Sequence, residues 1–314
     1  MSDSAAPVGV VLMTYGSPAS LEDVPRYIRA VRGGRDVPAE VVDEMRRRYR
    51  IIGGSPLIGI TRAQADALQQ RLGDGWMVRA GMRFSEPYIA EVVSEMADAG
   101  VRRVVGVIMS PQFSPLLMGG YRRALDDAHG QLGPDAPPIQ LAGAWHTDPS
   151  FIAALAARID EALGRLPPAE RERAPVLLTA HSLPRRVAEQ EPDYLAQLEQ
   201  TARLVAGRAG LADSRWTFCW QSAGHEPGEW MKPDFADLMP ELAAAGHRSV
   251  VVAPIQFLAD HLEILYDVDV GAREQAEAAG LRFERIESLN VDKRFIDALA
   301  AVVSRTSSQA SARA

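Results

Sequence analysis

The chain has 314 residues, which is enough for two domains of ordinary size, each with a buried core. Its 41 acidic residues exceed its 34 basic ones and leave a net charge of −7, which argues against a protein that binds nucleic acid through a basic surface. No apolar run reaches the roughly 18 residues that a membrane span needs, and the polar start lacks a secretory signal, so we expect a cytoplasmic protein without stable membrane insertion.

The first half of the chain alternates apolar strands with helical patterns. A β-rich apolar run at residues 8–14 ends in a turn signal, and helical patterns follow at 21–31, 38–49 and 61–72. The sequence then predicts a short strand at 76–79, a helix at 86–99 and a buried strand at 103–109. This order is typical of a parallel sheet flanked by helices.

A second series of similar length begins after residues 139–143. It predicts strands at 176–179, 216–219 and 249–253, and helices at 149–163, 191–206, 234–245, 258–268 and 292–304. Continuous apolar strands that alternate with helices imply parallel sheets covered on both faces. We therefore predict an α/β fold of two Rossmann-like domains, residues 1–148 and 149–303, without a close internal repeat. Residues 304–314 are rich in Ser, Ala and Arg and predict a disordered tail.

The segments that follow the predicted strands carry the candidate chemistry, because ligands of open α/β sheets bind at the carboxyl ends of the strands. These segments are residues 14–18, 110–114, 179–184, 220–224 and 257–267. The sequence contains no Gly-x-Gly-x-x-Gly after the first strand, no P-loop and no Gly-x-Ser-x-Gly elbow. Common nucleotide-binding and hydrolase sites are therefore disfavoured.

A histidine and a group of acids stand out in these segments. His181 ends an apolar strand, where an imidazole can bind a divalent metal, move a proton or simply hydrogen-bond a neighbouring loop. Asp260, Glu263 and Asp267 are spaced to share one face of a helix. Such a face is either solvated or carries a carboxylate that accepts protons, and the apolar residues interleaved at 262–266 favour the second interpretation.

The N-terminal half carries clustered arginines. Only Lys232 and Lys293 are lysines, so an anion site in this chain would be built from guanidinium groups. Paired guanidinium groups predict a ligand with carboxylate side chains, and the alternative is a basic helical surface neutralised by neighbouring glutamates. Two clusters flank the glycine-containing residues 53–57 and consist of Arg26, Arg29, Arg32, Arg35, Arg46, Arg47, Arg48 and Arg50.

Several of these motifs together resemble the ferrochelatase family. The matching segments occur in the family's order and are residues 13–18, 32–35, 53–57, 178–184, 220–224 and 257–267. The resemblance implies two Rossmann-like domains with a porphyrin cleft between them. It also implies an enzyme, a metal chelatase of the lyase class, that inserts Fe2+ into a porphyrin in haem biosynthesis.

The resemblance also implies roles for individual residues. His181 and Glu263 match the pair that binds the metal and accepts the pyrrole protons. Tyr15 resembles the tyrosine that approaches the metal from the opposite face in the bacterial coproporphyrin branch. The compact length resembles that branch as well, so we expect coproporphyrin III as substrate in preference to protoporphyrin IX. The positions that hold the porphyrin and its propionates there correspond to Arg32, Arg48, Tyr49, Ser55 and Tyr121.

Cofactors and alternatives follow from the same comparison. Some bacterial relatives hold a 2Fe–2S cluster on several cysteines, but Cys219 is the only cysteine here, so we expect no cluster. Glycine at 271 ends the family's acidic ridge at Asp267. Two alternatives remain open: a related chelatase for another tetrapyrrole or metal, and a non-catalytic porphyrin or haem carrier. We expect a monomer that binds porphyrin and Fe2+ as substrates.

Overall fold

The chain folds into two compact units. The computed structural model describes residues 6–224 and 228–311, with side chains as far as residue 309. One unit comprises the chain up to Trp145 together with the segment from Asn290, and the other comprises His146–Leu289. The boundary therefore lies at 145–146, close to the predicted boundary at 148–149.

The N-terminal unit is built on a four-stranded parallel sheet. The central strand β1 pairs with β2 through Val10 and Val78 and with β3 through Val10 and Val105, and all its residues are buried. An apolar strand in the middle of a parallel sheet is stable because both of its faces are covered. The strands lie in the order β2-β1-β3-β4 and are β1 (Val8–Thr14), β2 (Trp76–Met82), β3 (Arg103–Ile108) and β4 (Ile139–Leu141).

Five helices accompany this sheet before the chain enters the second unit. They are α1 (Val24–Val31), α2 (Ala39–Ile51), α3 (Leu57–Leu72), α4 (Ile89–Asp98) and α5 (Pro115–Leu132). The sequence did not predict α5, because its two adjacent glycines at 119 and 120 lower the helix propensity. The helix is nevertheless capped, since the Ser114 hydroxyl accepts the Leu117 N–H at 2.9 Å.

The second unit repeats the sheet topology of the first. Its parallel strands lie in the order β6-β5-β7-β8 and are β5 (Val176–His181), β6 (Trp216–Gln221), β7 (Ser249–Pro254) and β8 (Arg282–Arg285). The predicted α/β fold with two parallel sheets flanked by helices is thus confirmed. The repeat exists in strand order although the sequence shows no close repeat. The helices are α6 (Pro149–Arg165), α7 (Pro168–Arg171), α8 (Arg185–Ala188), α9 (Pro192–Arg208), α10 (Phe235–Ala244) and α11 (Arg273–Ala278), with a 3-10 turn at Asp213–Arg215.

Two elements between 254 and 289 differ from the prediction. Residues 258–268 were expected to form an α-helix, but the structure has a π-helix at Glu263–Ala272 that leads directly into α11. Its buried residues Ile264 and Val268 pack in one core with Val250 and Val252 of β7. The edge strand β8 was not predicted, because three of its four residues are charged and only Phe283 among them is buried. The π-helix at Glu263–Ala272 is notable because π-helical segments are rare and frequently occur at functional sites.

The last helix is α12 (Lys293–Ser311). The sequence predicted that it belongs to the C-terminal domain, and this prediction is wrong. It belongs to the N-terminal unit. Asp297 accepts a hydrogen bond from Arg71 of α3 at 2.5 Å, and the Phe295 ring stacks on Trp145. These partners are distant in sequence, so no local pattern could assign the helix to its unit.

The predicted disordered tail is also wrong over the part of it that the structure describes, because α12 continues to Ser311. Thr306 and Ser307 are 8% and 5% exposed, and the Ser307 hydroxyl accepts a hydrogen bond from Arg103 at 2.7 Å. Alanine and arginine favour helices, and the Thr306 hydroxyl donates to the carbonyl one turn earlier, so the polar composition is compatible with helix. Residues 312–314 of the predicted tail lie outside the described residues. Among the described helices, none combines the length and apolarity needed to cross a bilayer.

Candidate active site

His181 is held at the carboxyl end of β5 with one ring nitrogen committed. Its backbone N–H donates to Gln256 Oε1 at 2.7 Å, and the amide nitrogen of Gln256 donates to the hydroxyl of buried Tyr194 at 2.5 Å. In the ring, Nδ1 lies 2.5 Å from the Ser182 carbonyl oxygen. Because a carbonyl only accepts, Nδ1 donates in this contact, and Nε2 is the ring nitrogen left to bind a metal or accept a proton.

Glu263 brings a carboxylate to that free nitrogen. The distance from His181 Nε2 to Glu263 Oε2 is 3.6 Å, and both side chains are about one-third exposed, at 31% and 33%. Glu263 Oε2 itself is buried and has no hydrogen-bond partner. A lone pair and an anionic oxygen that face each other are relieved when a cation or a proton lies between them. The pair is therefore suited to hold a divalent metal or to accept a proton.

A phenylalanine ring lies between His181 and a second histidine, His261. The Phe257 ring contacts His181 edge-on, with centroids 6.4 Å apart, and packs against His261 at 4.6 Å. His261 Nδ1 lies 2.9 Å from the Ala259 carbonyl. His261 was not among the predicted site residues, although its position two residues before Glu263 in the 257–267 segment was a usable signal.

The predicted acidic face does not form as expected. Asp260 precedes the π-helix, and its carboxylate accepts a hydrogen bond from Ser288 at 2.7 Å and lies 3.4 Å from Arg285 Nη1. Asp260 is thus bound by the protein itself, whereas Glu263 Oε2 has no hydrogen-bond partner. In the described part of the chain, no group of three or more His, Cys, Asp or Glu residues could hold a metal ion. The two donors that face each other here are the His181 imidazole and the Glu263 carboxylate.

In the N-terminal unit, Tyr15 forms the exposed surface of an aromatic stack. Tyr15 is 44% exposed and lies parallel to Tyr121, with ring centroids 5.7 Å apart and an interplanar angle of 7°. Phe84 adds a second ring contact at 5.3 Å. Tyr121 beneath is only 7% exposed, and burial raises the pKa of its phenol well above the usual value. Tyr15 is thus an exposed, rigidly backed ring suited to contact a flat apolar ligand.

Arg83 completes this stack and was not predicted from the sequence. Its guanidinium carbon lies 4.6 Å from the Phe84 ring centre and 5.8 Å from the centres of Tyr15 and Tyr121. A Cβ at position 120 would come within 1.9 Å of that carbon, so the glycine leaves the space that the guanidinium occupies. An isolated arginine after a strand has no sequence signal for such a role.

The remaining predicted ligand-binding residues lie around the ends of α1 and α2. Arg32 is exposed, and Ser55 Oγ accepts the Leu57 N–H at 3.4 Å at the start of α3. Tyr49 is 4% exposed and is part of the core. Arg48 is 22% exposed and its Nε donates to Glu44 at 2.8 Å.

Glu44 is shared between two neighbouring arginines. Hydrogen bonds from Arg47 and Arg48 lower the pKa of the Glu44 carboxyl to about 2. Arg48 is therefore paired with a carboxylate of its own helix, whereas Arg32 presents an exposed guanidinium at the end of α1.

The chain is similar over nearly its whole length to known proteins. The ferrochelatase family pattern matches residues 7–307. The chain is 38% identical over 311 residues to a ferrochelatase of Deinococcus radiodurans, covering 96% of this chain and 97% of that protein. It is 37% identical over 302 residues to a coproporphyrin III ferrochelatase of Geobacillus kaustophilus, covering 94% of each.

Solved structures support the same fold. SirB from Bacillus subtilis with Fe3+ superposes with a TM-score of 0.65 at 10% identity, over 98% of both chains. CbiX, described as the terminal enzyme of sirohaem biosynthesis in denitrifying bacteria, superposes with a TM-score of 0.56 at 14% identity, over 95% of this chain and 98% of that one. At these identities the likeness concerns the fold, whereas the family match and the closer relatives identify the lineage. The chain therefore belongs to the ferrochelatase family, the metal chelatases of haem biosynthesis.

Proposed function

We propose that this protein inserts Fe2+ into coproporphyrin III and that His181 and Glu263 bind the metal and accept the pyrrole protons. The observation that carries the proposal is the arrangement of the pair: Nε2 with a free lone pair lies 3.6 Å from a buried, unpartnered carboxylate oxygen. The names of relatives at 37% and 35% identity, coproporphyrin III ferrochelatases of Geobacillus kaustophilus and Bacillus subtilis, support the choice of porphyrin.

The chemistry requires both residue types. A free-base porphyrin releases two N–H protons as a divalent metal enters. Because the metal brings two positive charges in exchange for two protons, the net charge of the porphyrin does not change. Glu263 and His181 supply two acceptor atoms at the distance given above. Two protein ligands hold Fe2+ weakly enough for transfer, whereas a cage of three or four donors would retain it.

The N-terminal unit supplies groups suited to the porphyrin. The exposed Tyr15 ring offers a flat apolar surface, and exposed Arg32 offers a guanidinium to a propionate. Arg48 reaches a propionate by exchanging its Glu44 partner, and Ser55 adds a hydroxyl. Tyr49 and Tyr121 are 4% and 7% exposed, so we assign them a supporting role behind the binding surface. Coproporphyrin III carries propionates where protoporphyrin IX carries two vinyl groups, so guanidinium groups favour the former.

Two alternatives are distinguishable from this proposal. One imidazole and one carboxylate also bind Co2+ and Zn2+, so the donor set permits another metal. A non-catalytic carrier needs no proton acceptor, and the unpartnered Glu263 Oε2 favours an enzyme over a carrier. We also retain a cytoplasmic monomer as a prediction, which cell fractionation and light scattering test.

The experiment is anaerobic metal insertion followed by absorbance, with coproporphyrin III and protoporphyrin IX offered separately. We expect H181A and E263Q each to lose at least about a hundredfold in rate, the usual effect of removing a proton acceptor. H129A and E277Q change exposed residues outside the proposed site and serve as matched controls with wild-type rates. Fe2+ insertion into neither porphyrin by the wild type, together with haem binding that survives in E263Q, would establish the carrier instead.

A further inference from the structure

Arg285, at the end of β8, uses its whole guanidinium inside the second unit. Its side chain is 14% exposed. Nε and Nη2 donate to the two oxygens of Asp269 at 2.7 and 2.9 Å, which is a bidentate pair. Nη1 donates to the Ile286 carbonyl at 2.9 Å and to Ser288 Oγ at 3.3 Å.

The same arginine also reaches a second carboxylate. Nη1 lies 3.4 Å from Asp260 Oδ1, and the Ser288 hydroxyl that accepts from Arg285 donates to that same oxygen at 2.7 Å. Asp260 and Asp269 are therefore linked through one strand residue. Because charge-assisted bidentate contacts are both strong and directional, this network restrains position as well as charge.

The two linked carboxylates lie on either side of Glu263. Asp260 comes three residues before it, outside the π-helix, and Asp269 lies six residues after it, inside the π-helix. Glu263 Oε2 has no hydrogen-bond partner of its own. The location of that oxygen relative to His181 therefore depends on how firmly the backbone around it is held. The network also neutralises two acids that would otherwise compete with Glu263 for a cation.

We infer that Arg285 is a positioning residue, which holds Asp260 before the π-helix and Asp269 within it and so sets the position of Glu263 for metal binding. The inference rests on the proposed function of Glu263. Groups that orient metal-binding residues change metal affinity or activity by about 10- to 100-fold when they are removed. Arg285 is expected to act on the metal step alone, because none of its contacts involves the residues proposed to bind porphyrin.

The test compares R285M and D269N with R158M in the full-length protein. Arg158 is a matched control: it is 17% exposed and pairs with Glu161 and Glu287, which lie outside the π-helix. Zn2+ insertion is followed at varied metal and varied porphyrin concentrations, with circular dichroism and Tm measured for each variant. We expect kcat/KM for the metal to fall 10- to 100-fold in R285M and several-fold in D269N, with KM for porphyrin unchanged. R158M is expected to lower Tm without a change in kcat/KM.

The outcomes separate this inference from the proposed function. If E263Q abolishes insertion while folded R285M and D269N keep wild-type kcat/KM for the metal, the inference on Arg285 is wrong and the role of Glu263 stands. If E263Q itself inserts metal normally, both are overturned. Should R285M not fold, D269N decides, because it removes only one carboxylate of the network. The double variant is expected to lose no more than R285M alone, since both changes break one unit; additive losses would contradict it.

Discussion

Gly16 lies directly after Tyr15, in tight contact with buried residues. Adding one methyl group there, in the substitution G16A, tests how closely the chain beside the exposed Tyr15 ring is packed. The φ of Gly16 is +83°, and a Cβ built there would lie 1.8 Å from Ser85 Oγ and 3.0 Å from Met82 Cβ. Ser85 Oγ accepts the Ser17 N–H at 3.1 Å, and both serines are 2% exposed. The substitution G16A therefore strains the backbone and also displaces a buried hydrogen-bond acceptor.

The two costs can be estimated separately. A left-handed backbone costs an L-residue about 1–2 kcal/mol, and a buried amide that loses its partner costs about 1–3 kcal/mol. We expect G16A to lower the free energy of unfolding by about 2–5 kcal/mol, the sum of these two estimates. G100A is the matched control, because Gly100 has φ +73° at the end of α4 and open space around it, so only the backbone cost of about 1–2 kcal/mol applies.

Urea unfolding followed by circular dichroism compares the two variants with the wild type. The expected order of stability is wild type, then G100A, then G16A. Porphyrin KM is expected to rise in G16A and to stay at the wild-type value in G100A, because only Gly16 adjoins Tyr15. Equal stability of G16A and G100A would refute the reasoning, since it would show that Ser85 moves aside without losing the Ser17 amide.

Three further predictions concern single side chains. S307A is expected to destabilise the protein by about 1–3 kcal/mol in urea unfolding, because Arg103 loses a buried acceptor; an unchanged midpoint would show that the end of α12 does not contribute. Burial raises the pKa of the Cys219 thiol, so the folded protein should resist alkylation at pH 8 and react fully in urea, and rapid reaction of the folded protein would contradict its burial. The folded pKa of Glu44 is lowered from 4.5 to about 2, so its stabilising effect is complete above pH 4.5 and is lost as the pH falls toward 2. R47M should raise the Glu44 pKa in an NMR titration, with a change in stability of about 1 kcal/mol or less because solvent screens the pair, whereas an unmoved pKa would assign the shift to other groups.

The site residues differ in how far sequence reasoning could locate them. His181 was predicted as a site residue because an apolar strand ends at it, and Glu263 because it lies among apolar residues after another strand. Their separation of 3.6 Å could not be predicted, since β5 and the π-helix are brought together only by packing. The shared acidic face was wrong at Asp260 for a similar reason: the partners Arg285 and Ser288 come from a later part of the chain.

Arg83 and Arg285 illustrate residues that sequence reasoning passes over. Each is a single arginine outside any recognisable motif, and each acquires its role from partners far away along the chain or in another element. The Arg83 guanidinium also needs the space left by Gly120. The sequence shows a glycine at that position, but it does not show that the glycine contacts Arg83. Tyr121 shows the reverse. The sequence predicted it as a porphyrin-binding residue, but in the structure it is buried and stacks on the Tyr15 ring, which it supports.

The sequence alone determined the alternation of strands and helices, the α/β class and the strand ends at which the candidate site residues lie. These depend on side-chain periodicity and turn residues within a few positions of each other, which are local properties. The tertiary structure decided that α12 joins the N-terminal unit, that Glu263 begins a π-helix, and that its carboxylate meets the free nitrogen of His181. Those outcomes depend on which distant segments pack together. They are decided by burial and hydrogen bonding between parts of the chain that are far apart in sequence, and a local pattern does not contain that information.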